Sequence, residues 1–483
     1  MKQIQVPIHQ TEMMSALAGS SAPLYVQAYQ YMKQEITSGR WLNQARLPSV
    51  RKLAELLGIS TTPVEMAYQQ LLAEGFIVSR PRSGYFVQTP DDLFPLPAAP
   101  PPPNGPKLKR HHHFPFDFHM SKNEYRHFPI AAWRRAYSRC LQEESAAEML
   151  FYGDPQGEEG LRREIAAYAK SVRGVQCTPE QVIIGSDPYP LLDIVCRLLR
   201  SYGDRVGVEN PGYPQYPEAF RQNGFQVMPL AVHEDGVRHE DLQGSGVKLV
   251  TVSPSHQFPT GVTMPISRRL ALLQWAHESE GFIIEDDYDG EFRYYGRPIP
   301  CLQGLRSDGR VIYMSGFSQV LSPAIGIHYM ILPAVLLPAY HHLKFHLFLE
   351  CTASRLQQLA LERFMKEGHV DRHLRKMRML LRKKHDRLIA SIQRYFGERA
   401  VISGNGAGFH LLLSITHPLS AHELETRAEH AGIRVSAADY TWLPDTRGRT
   451  ATDRRSFIVG FGGLLEEEID EGMKRLASCW LST

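Results

Sequence analysis

A proline-rich segment, "TPDDLFPLPAAPPPPNGPKLKRHHH", divides the chain at residues 89–113. Proline has no amide donor and a fixed φ, so such a run cannot continue a helix or an inner strand and favours extended polyproline. The segment is therefore interpreted as a semi-rigid linker. It predicts a small domain over residues 1–88 and a large domain over residues 114–483.

The composition is that of an ordinary soluble globular protein, with 43% hydrophobic and 22% charged residues. No apolar run of about 18 residues or more and no basic-then-apolar leader is found, so neither a membrane span nor an export signal is predicted, and a cytoplasmic location is expected. The six cysteines are far apart and are interpreted as reduced thiols. The triplet His111-His112-His113 lacks partners at ligand spacing, so no metal site is predicted.

The positive charge of the chain lies at its amino-terminal end. Residues 1–88 hold eight Lys or Arg against five Glu, and this excess of three equals the net charge of +3 of the whole chain. Such an uneven distribution indicates a polyanionic partner for the small domain.

The small domain shows three helical patterns and a hairpin pattern. Apolar residues recur at helical spacing over residues 25–36, a second helix in "SVRKLAELL" stops at Gly58, and a third in "PVEMAYQQLLAE" stops at Gly75. The stretch "TPVE" from Thr62 to Glu65 is interpreted as the capping box of the third helix. With "FIVSRPRSGYFVQ" as a hairpin, the pattern predicts a winged helix-turn-helix, and the alternative is a structural module without a ligand.

Residues 24–88, through "LPSVRKLAELLGISTTPVEMAYQQLLAEGFIVSRPRSGYFV", resemble the GntR-type winged helix-turn-helix. The resemblance implies double-stranded promoter DNA as the partner, with the start of the third helix in the major groove and the wing along the backbone. The chain departs from the family at Thr61 and Glu65, where arginine is common, and Glu65 is interpreted as the capping partner of Thr62. The expected DNA-binding residues are Ser49, Arg51, Thr61, Thr62, Arg82 and Gly84.

The large domain alternates strand and helix patterns. Six buried strand patterns are found: "QVIIGS", "DRVGVENPGY", "VKLVTVSPSHQFPTG", "GFIIEDDYDGEF", "RVIYMSG" and "IHYMILP". Amphipathic stretches such as "RRLALLQWAHES" separate several of them. The alternation predicts an α/β fold with a mostly parallel, helix-covered sheet and ligands at the carboxyl ends of its strands.

Five loop motifs of the large domain resemble the successive signatures of fold-type I aminotransferases: "DPQGEEGLRREIAAY", "NPGYPQY", "SPSHQFPTG", "EDDYDGEF" and "SGFSQVLSPAIGIHY". Together with the small domain and the linker, they make the whole chain resemble the MocR-like subfamily of GntR regulators. In that subfamily an aminotransferase-like domain, with large and small subdomains, senses an effector. The resemblance implies a homodimer and an unidentified small-molecule effector.

The resemblance also implies a pocket related to that of pyridoxal-phosphate enzymes. Asp286 is placed to pair with a pyridine nitrogen, Tyr288 to reach a ring hydroxyl, and Tyr213 to pack near the ring. The expected pocket residues are Ser186, Asp187, Tyr213, Asp286, Tyr288, Ser315, Ser318 and Gln319.

Several anchors of the cofactor are replaced in this chain. Gln319 stands at the lysine position, so no internal aldimine is expected. Gly326 stands at the position of the phosphate-binding arginine, and Gly463 at that expected to hold a substrate carboxylate. Asp187 and Pro188 add a negative charge and remove a donor in the phosphate loop. The cofactor, implied by resemblance only, is expected to be weakly bound or absent and not covalently attached.

Three interpretations follow from the sequence. The first is a regulator, not an enzyme, whose degenerate aminotransferase-like domain senses an effector. The second is a dimeric DNA-binding scaffold without a small-molecule ligand, and the third is an aminotransferase with an added domain, which Gln319 opposes.

Overall fold

The computed structural model describes residues 6–7, 22–88, 113–143, 145–296, 299–305, 309–347, 350–444 and 454–481. The chain forms two compact units, residues 1–111 and residues 112–483, called here the small unit and the large unit. The predicted linker lies outside the described residues except for His113. In the described part of the chain, no helix is both long and apolar enough to span a membrane.

The small unit is a winged helix-turn-helix, as predicted. Ser49 caps the second helix by accepting a hydrogen bond from the Lys52 amide (3.3 Å), and Gly58 ends that helix in the left-handed conformation at φ 62°. Tyr68 on the third helix is fully buried and donates to the Pro48 carbonyl (3.0 Å). The elements are α1 Leu24–Thr37, α2 Val50–Leu57, α3 Thr61–Ala73, β1 Ile77–Arg80 and β2 Gly84–Val87.

The predicted capping box of the third helix is wrong. Helix α3 already begins at Thr61, with Ser60 before it and without a side-chain cap, and both Thr62 and Glu65 are exposed. Pro63 is tolerated in the first turn because the amides there have no partner within the helix. Glu65 thus lies on the exposed face of α3 instead of closing its amino terminus.

The main sheet of the large unit has seven strands in the order β4-β10-β9-β8-β7-β5-β6. Strands β5 to β9 run parallel, and β10 is antiparallel to both β4 and β9. The strands are β4 Val182–Gly185, β5 Arg205–Asn210, β6 Gln226–Ala231, β7 Leu249–Val252, β8 Phe282–Asp286, β9 Val311–Gly316 and β10 His328–Ile331.

Two features of this sheet differ from the sequence interpretation. Strand β6 was not predicted, because it is a largely exposed edge strand interrupted by Pro229 and lacks a buried apolar run. Strand β10 reverses direction, since the connection over residues 317–327 is too short for the helical crossover that a parallel neighbour requires. The predicted fold class is confirmed, with six of the seven strands found from their apolar runs.

Helices cover the main sheet, and a second sheet with order β11-β12-β15-β14 packs beyond it. A short parallel pair, β3 with β13, joins the start of the large unit to its carboxy-terminal part. The helices are α4 Ile130–Glu143, α5 Ala146–Met149, α6 Glu159–Arg173, α7 Pro188–Leu199, α8 Gln215–Gln222, α9 Ile266–Glu278, α10 Leu302–Leu305, α11 Leu337–His346, α12 Arg355–Lys366, α13 His369–Phe396, α14 Ala421–His430 and α15 Glu466–Leu481. The remaining strands are β3 Phe116–Asp117, β11 Ala400–Ser403, β12 His410–Thr416, β13 Ile433–Arg434, β14 Ser436–Ala437 and β15 Arg454–Gly460.

Candidate functional sites

The exposed face of the small unit carries the predicted DNA-binding side chains. Arg51 lies in the first turn of α2, and Thr61 and Thr62 form the start of α3, all three exposed. Ser49 is exposed, but its hydroxyl already serves as a helix cap. These residues lie at the amino-terminal ends of two consecutive helices, where amides and side chains of such domains meet phosphates and base edges.

The wing carries the predicted Arg82 and Gly84, and two further arginines that the sequence analysis did not single out, Arg46 and Arg80, lie against it. Exposed Arg82 forms the tip between β1 and β2 at φ 63°, and Gly84 follows at φ 100°. A Cβ on Gly84 would lie 3.6 Å from Nε of Arg46, so this guanidinium lies against the wing. Arg80 stacks over the Phe86 ring at 4.5 Å. The cationic residues of a hairpin that precedes a proline linker were the available signal for these contacts.

Asp286 is the central carboxylate of the predicted pocket. It ends β8, is half-buried and accepts a hydrogen bond from the Tyr216 hydroxyl. Burial raises the pKa of Asp286 to about 7, and the neighbouring charges of Asp287 and Asp289 act in the same direction. No cation within the described residues forms an ion pair with this carboxylate.

Aromatic rings stand beside Asp286. The Tyr213 ring lies edge-on to Tyr216 (5.5 Å) and to Phe258 (5.9 Å) and is 39% exposed, which places it at the pocket mouth. Burial raises the pKa of Tyr189, and the charges of Asp187 and Asp286 raise it further. The structure therefore brings Asp187, Tyr213 and Asp286 into one neighbourhood through Tyr189 and Tyr216.

A buried ion pair holds the acidic loop after β8. Arg173 binds Asp287 at 2.6 Å and also donates to the Gly290 carbonyl (3.0 Å) and to the Ser255 hydroxyl (2.6 Å). Ser315 was predicted in the pocket, but its hydroxyl donates to the Asp287 carbonyl (2.8 Å). Ser315 thus holds the backbone of the loop that contains Asp287.

Helix α7 begins at the loop to which the family resemblance assigns phosphate binding. Asp187 caps it by accepting a hydrogen bond from the Tyr189 amide (3.1 Å). Pro188 and Pro190 have no amide hydrogen, and the Ser186 amide donates to Thr352 Oγ1 (2.9 Å). The first three positions of α7 supply a single amide hydrogen, which Asp187 already accepts, and no described basic residue lies in this turn. This turn therefore does not fit the phosphate of a pyridoxal cofactor.

A neutral histidine occupies the space beside this turn. His328 lies 3.2 Å from the Ser186 carbonyl and 3.1 Å from the Ser318 hydroxyl, and burial lowers its pKa. A Cβ on Gly326 would face the Ser186 carbonyl at 3.8 Å, so residue 326 borders the same loop. The Gln319 carbonyl accepts from Asn123 (3.1 Å), which ties this turn to the amino-terminal part of the large unit. The sequence analysis missed His328.

The carboxylate-binding role expected at position 463 stays a prediction, and the structure gives the surroundings of that residue. Gly463 lies against Lys122, whose Cβ would be 2.7 Å from a Cβ on the glycine. The side chain of β15 that packs with Phe258 and Tyr288 is Ile458. The residue that faces the pocket from this strand is therefore aliphatic, and it offers no charge to a ligand carboxylate.

The pocket region is rich in buried carboxyl groups. Burial raises the pKa of Glu209 to about 8 and that of Glu285 to about 7. Glu209 accepts from the Ser253 amide (3.2 Å) and from Gln257 (3.3 Å), so it braces the loop after β7. The electrostatic environment thus disfavours anions and favours a cation or a neutral donor.

Two family models match the chain. Residues 24–87 match the bacterial regulatory proteins of the gntR family, and residues 117–452 match aminotransferase class I and II. HTH-type transcriptional regulator YdeL of Bacillus subtilis is 39% identical over 458 residues, which cover 95% of this chain and 97% of the relative. The probable rhizopine catabolism regulatory protein MocR of Rhizobium meliloti is 32% identical over 96% of this chain and 95% of its own.

The chain belongs to the MocR-like HTH-type transcriptional regulators. Solved structures match the large unit of this regulator. An archaeal alanine:glyoxylate aminotransferase is 25% identical with a TM-score of 0.68, covering 76% of this chain and 90% of its own. Kynurenine aminotransferase of Pyrococcus horikoshii, 24% identical, has a TM-score of 0.67 and matches 77% of this chain and 91% of its own. The large unit therefore has the fold of a pyridoxal-phosphate enzyme family.

Proposed function

We propose that this regulator binds promoter DNA through its small unit and responds to a small-molecule effector that binds the large unit without a Schiff base. The observation that carries the proposal is the first turn of α7, where Asp187 caps the Tyr189 amide between two prolines. In this proposal the turn excludes a phosphate, and the effector binds beside Asp286 and its aromatic neighbours.

Gln319 supports the loss of covalent cofactor binding. It occupies the lysine position of the resembled family, and an amide nitrogen is not nucleophilic enough to form an imine. Losing two charge-assisted phosphate contacts costs about 3 to 6 kcal/mol, or on the order of 10² to 10⁴ in affinity. An enzyme of the aminotransferase type would need both the lysine and the phosphate contacts.

Pyridoxal phosphate itself tests this part of the proposal. Purified protein mixed with the cofactor should show no imine absorption in the visible range, and borohydride should attach no pyridoxyl group to the large unit. A matched Gln319→Lys variant reports whether a lysine there can react at all. A borohydride-fixed adduct on the wild-type pocket would overturn the proposal.

The charge of the pocket indicates the class of effector. Asp286 has aromatic side chains around it and no described cationic partner, and β15 presents Ile458 instead of a charged residue. Carboxylates beside aromatic faces favour organic cations and amines over anions. Thermal-shift titration with alkylamines should stabilise the wild type but not Asp286→Asn, whereas matched carboxylic acids should have no effect on either. Stabilisation by the acids alone would contradict this assignment.

A homodimer is part of the proposal. Three exposed aromatic side chains line a surface cavity of about 800 Å³: Phe151, Tyr152 and Phe345 are 70–73% exposed, and Leu150 beside them in sequence is 78% exposed. Contiguous exposed apolar patches of this kind mark protein interfaces. The two-fold sites of promoter DNA also suit a dimeric reader.

Arg51→Ala tests the DNA-binding face. The variant should weaken promoter binding by roughly one to two orders of magnitude at physiological salt, because a charge-assisted contact to DNA is lost. Arg163→Ala removes an exposed arginine of the large unit and should leave DNA affinity unchanged. Unchanged binding of Arg51→Ala would show that the DNA-binding face is placed wrongly.

A further inference from the structure

Three buried side chains meet where the two sheets of the large unit face each other. His256 lies in the loop after β7, Asp289 follows β8, and His410 begins β12 of the second sheet. They are 2%, 1% and 1% exposed. Their positions are separated by up to about 150 residues along the chain, so no local motif announces the cluster.

The hydrogen bonds of the two imidazoles fix their tautomers. His256 Nδ1 lies 2.8 Å from Asp289 Oδ2, and His410 Nε2 lies 3.3 Å from the Pro259 carbonyl. Because these oxygens accept hydrogen bonds, the protons belong on those two nitrogens. His256 Nε2 and His410 Nδ1 then carry lone pairs, and within the described part of the chain neither has a hydrogen-bond partner.

These lone pairs belong to rings that lie close together. The ring centres of His256 and His410 are 5.1 Å apart, and one ligand atom from each of the three side chains lies within 4.8 Å of the others. Ligands of one transition-metal ion, at bond lengths of about 2.0–2.2 Å, lie up to about 4 Å apart. Asp289 accepts the Nδ1 proton of His256 and so lies on the other side of that ring from Nε2. Small side-chain movements would bring His256 Nε2 and His410 Nδ1 to one ion, with Asp289 orienting the His256 ring.

Glycine backbone packs directly against the cluster. A Cβ on Gly261 would lie 3.0 Å from His256 Nε2, and a Cβ on Gly408 would lie 2.4 Å from Asp289 Oδ2. Any larger residue at either position would occupy the space next to the donor atoms. Buried acceptors without a partner are costly, so a group that satisfies both imidazoles stabilises this arrangement.

We propose that His256 Nε2 and His410 Nδ1 bind a divalent transition-metal ion such as Zn²⁺, with Asp289 holding the His256 ring through its Nδ1 proton. Imidazole nitrogens suit zinc, cobalt or iron, whereas calcium and magnesium prefer all-oxygen sites. The ion would join β12 of the second sheet to the loops of the main sheet.

The site has a consequence for the pocket that rests on the proposed effector function. The Tyr288 hydroxyl lies 3.1 Å from His256 Nδ1, and Tyr288 packs with Phe258 and Ile458. An ion bound to His256 would restrict the position of the Tyr288 side chain. Metal occupancy would thus change the affinity of the pocket for its effector.

Cobalt titration of the full-length protein tests the site. After dialysis against a chelator, Co²⁺ should give visible ligand-field absorption at one equivalent per chain, and Zn²⁺ should displace it. His410→Asn and His256→Gln should each weaken this binding by roughly tenfold or more. The control variant replaces His111, His112 and His113 by alanine, which removes the alternative histidine source, and it should retain the spectrum.

Each outcome of the titration either supports or overturns the proposed metal site. Absence of a stoichiometric cobalt spectrum in the wild type, or loss of the spectrum only in the triplet variant, overturns the proposal. If the cluster variants unfold, the proposal is tested by the wild-type protein alone, through its cobalt spectrum and the rise of its melting temperature with Zn²⁺. An unchanged melting temperature would contradict the proposed site. Neither readout uses DNA or an effector, so failure of the proposed function is detected separately.

Discussion

The Asp286→Asn substitution tests whether the folded chain disfavours the charged form of this carboxyl group. In the folded chain burial raises the pKa of this carboxyl from an ordinary value of 3.8 to about 7. Below about pH 3 the group is protonated in both the folded and unfolded chain and costs nothing. As the pH rises towards 7 the unfolded chain releases its proton first, so wild-type stability is progressively lost, and above pH 7 the full cost is present.

The size of the effect follows from the two pKa values. They differ by about three pH units, and each unit corresponds to about 1.4 kcal/mol, so the upper bound is on the order of 4 kcal/mol. Asp286 is only half-buried and accepts a hydrogen bond from Tyr216, and solvent screening reduces the figure. We therefore expect the asparagine variant to exceed the wild type in unfolding free energy by about 2 to 4 kcal/mol at pH 8 and by little near pH 4.

Urea unfolding of the full-length protein at a series of pH values measures this difference. Asp193→Asn is the matched control, because Asp193 is 41% exposed on the side of α7 and pairs with Arg197. The control should change stability by at most about 0.5 kcal/mol at any pH. If the two variants behave alike, or if the asparagine at 286 gives no pH-dependent gain, then Asp286 is not held in a charge-disfavouring site.

Other residues give further expectations. Arg173→Met should cost about 3 to 5 kcal/mol in urea unfolding, because it leaves a buried carboxylate without its partner, whereas the exposed Arg163→Ala should stay within about 0.5 kcal/mol; equal effects would refute the buried-pair argument. Gln319→Lys alone should bind pyridoxal phosphate on the order of 10² to 10⁴ less tightly than intact enzymes do, because the phosphate contacts remain absent, and tight binding in spectrophotometric titration would contradict this. Phe345→Asp should lower the molar mass measured by light scattering towards that of the monomer, while Met379→Asp, at a residue 65% exposed on α13, should not. If both variants remain dimers, the interface lies elsewhere.

Local signals carried much of the fold prediction. Glycine stops and apolar stripes predicted the helices of the small unit, because each pattern reports burial of one helix face. The start of α3 was misplaced by two residues, since the capping alternatives at Ser60 to Thr62 have nearly equal intrinsic preference and packing decides between them. The exposed edge strand β6 left no apolar run to detect.

The site was predictable where loops follow strands. Asp286 and Tyr213 come to one edge of the sheet because strands β8 and β5 end there. By contrast, the contact of His328 with the α7 turn depends on the reversed direction of β10, which an apolar pattern does not report. The meeting of His256 with His410 depends on how the second sheet packs, a property of the assembled fold that sequence spacing does not contain.

The first turn of α7 has a consequence for the physiology of the protein. Two prolines and an aspartate cap cannot be reversed by one substitution, so the proposed function predicts a helix end that excludes phosphate even where a lysine is reintroduced. A regulator built in this way would not compete with the cell's enzymes for vitamin B6. Its response to the effector would then be independent of the vitamin supply, and it could act in starved and replete cells alike.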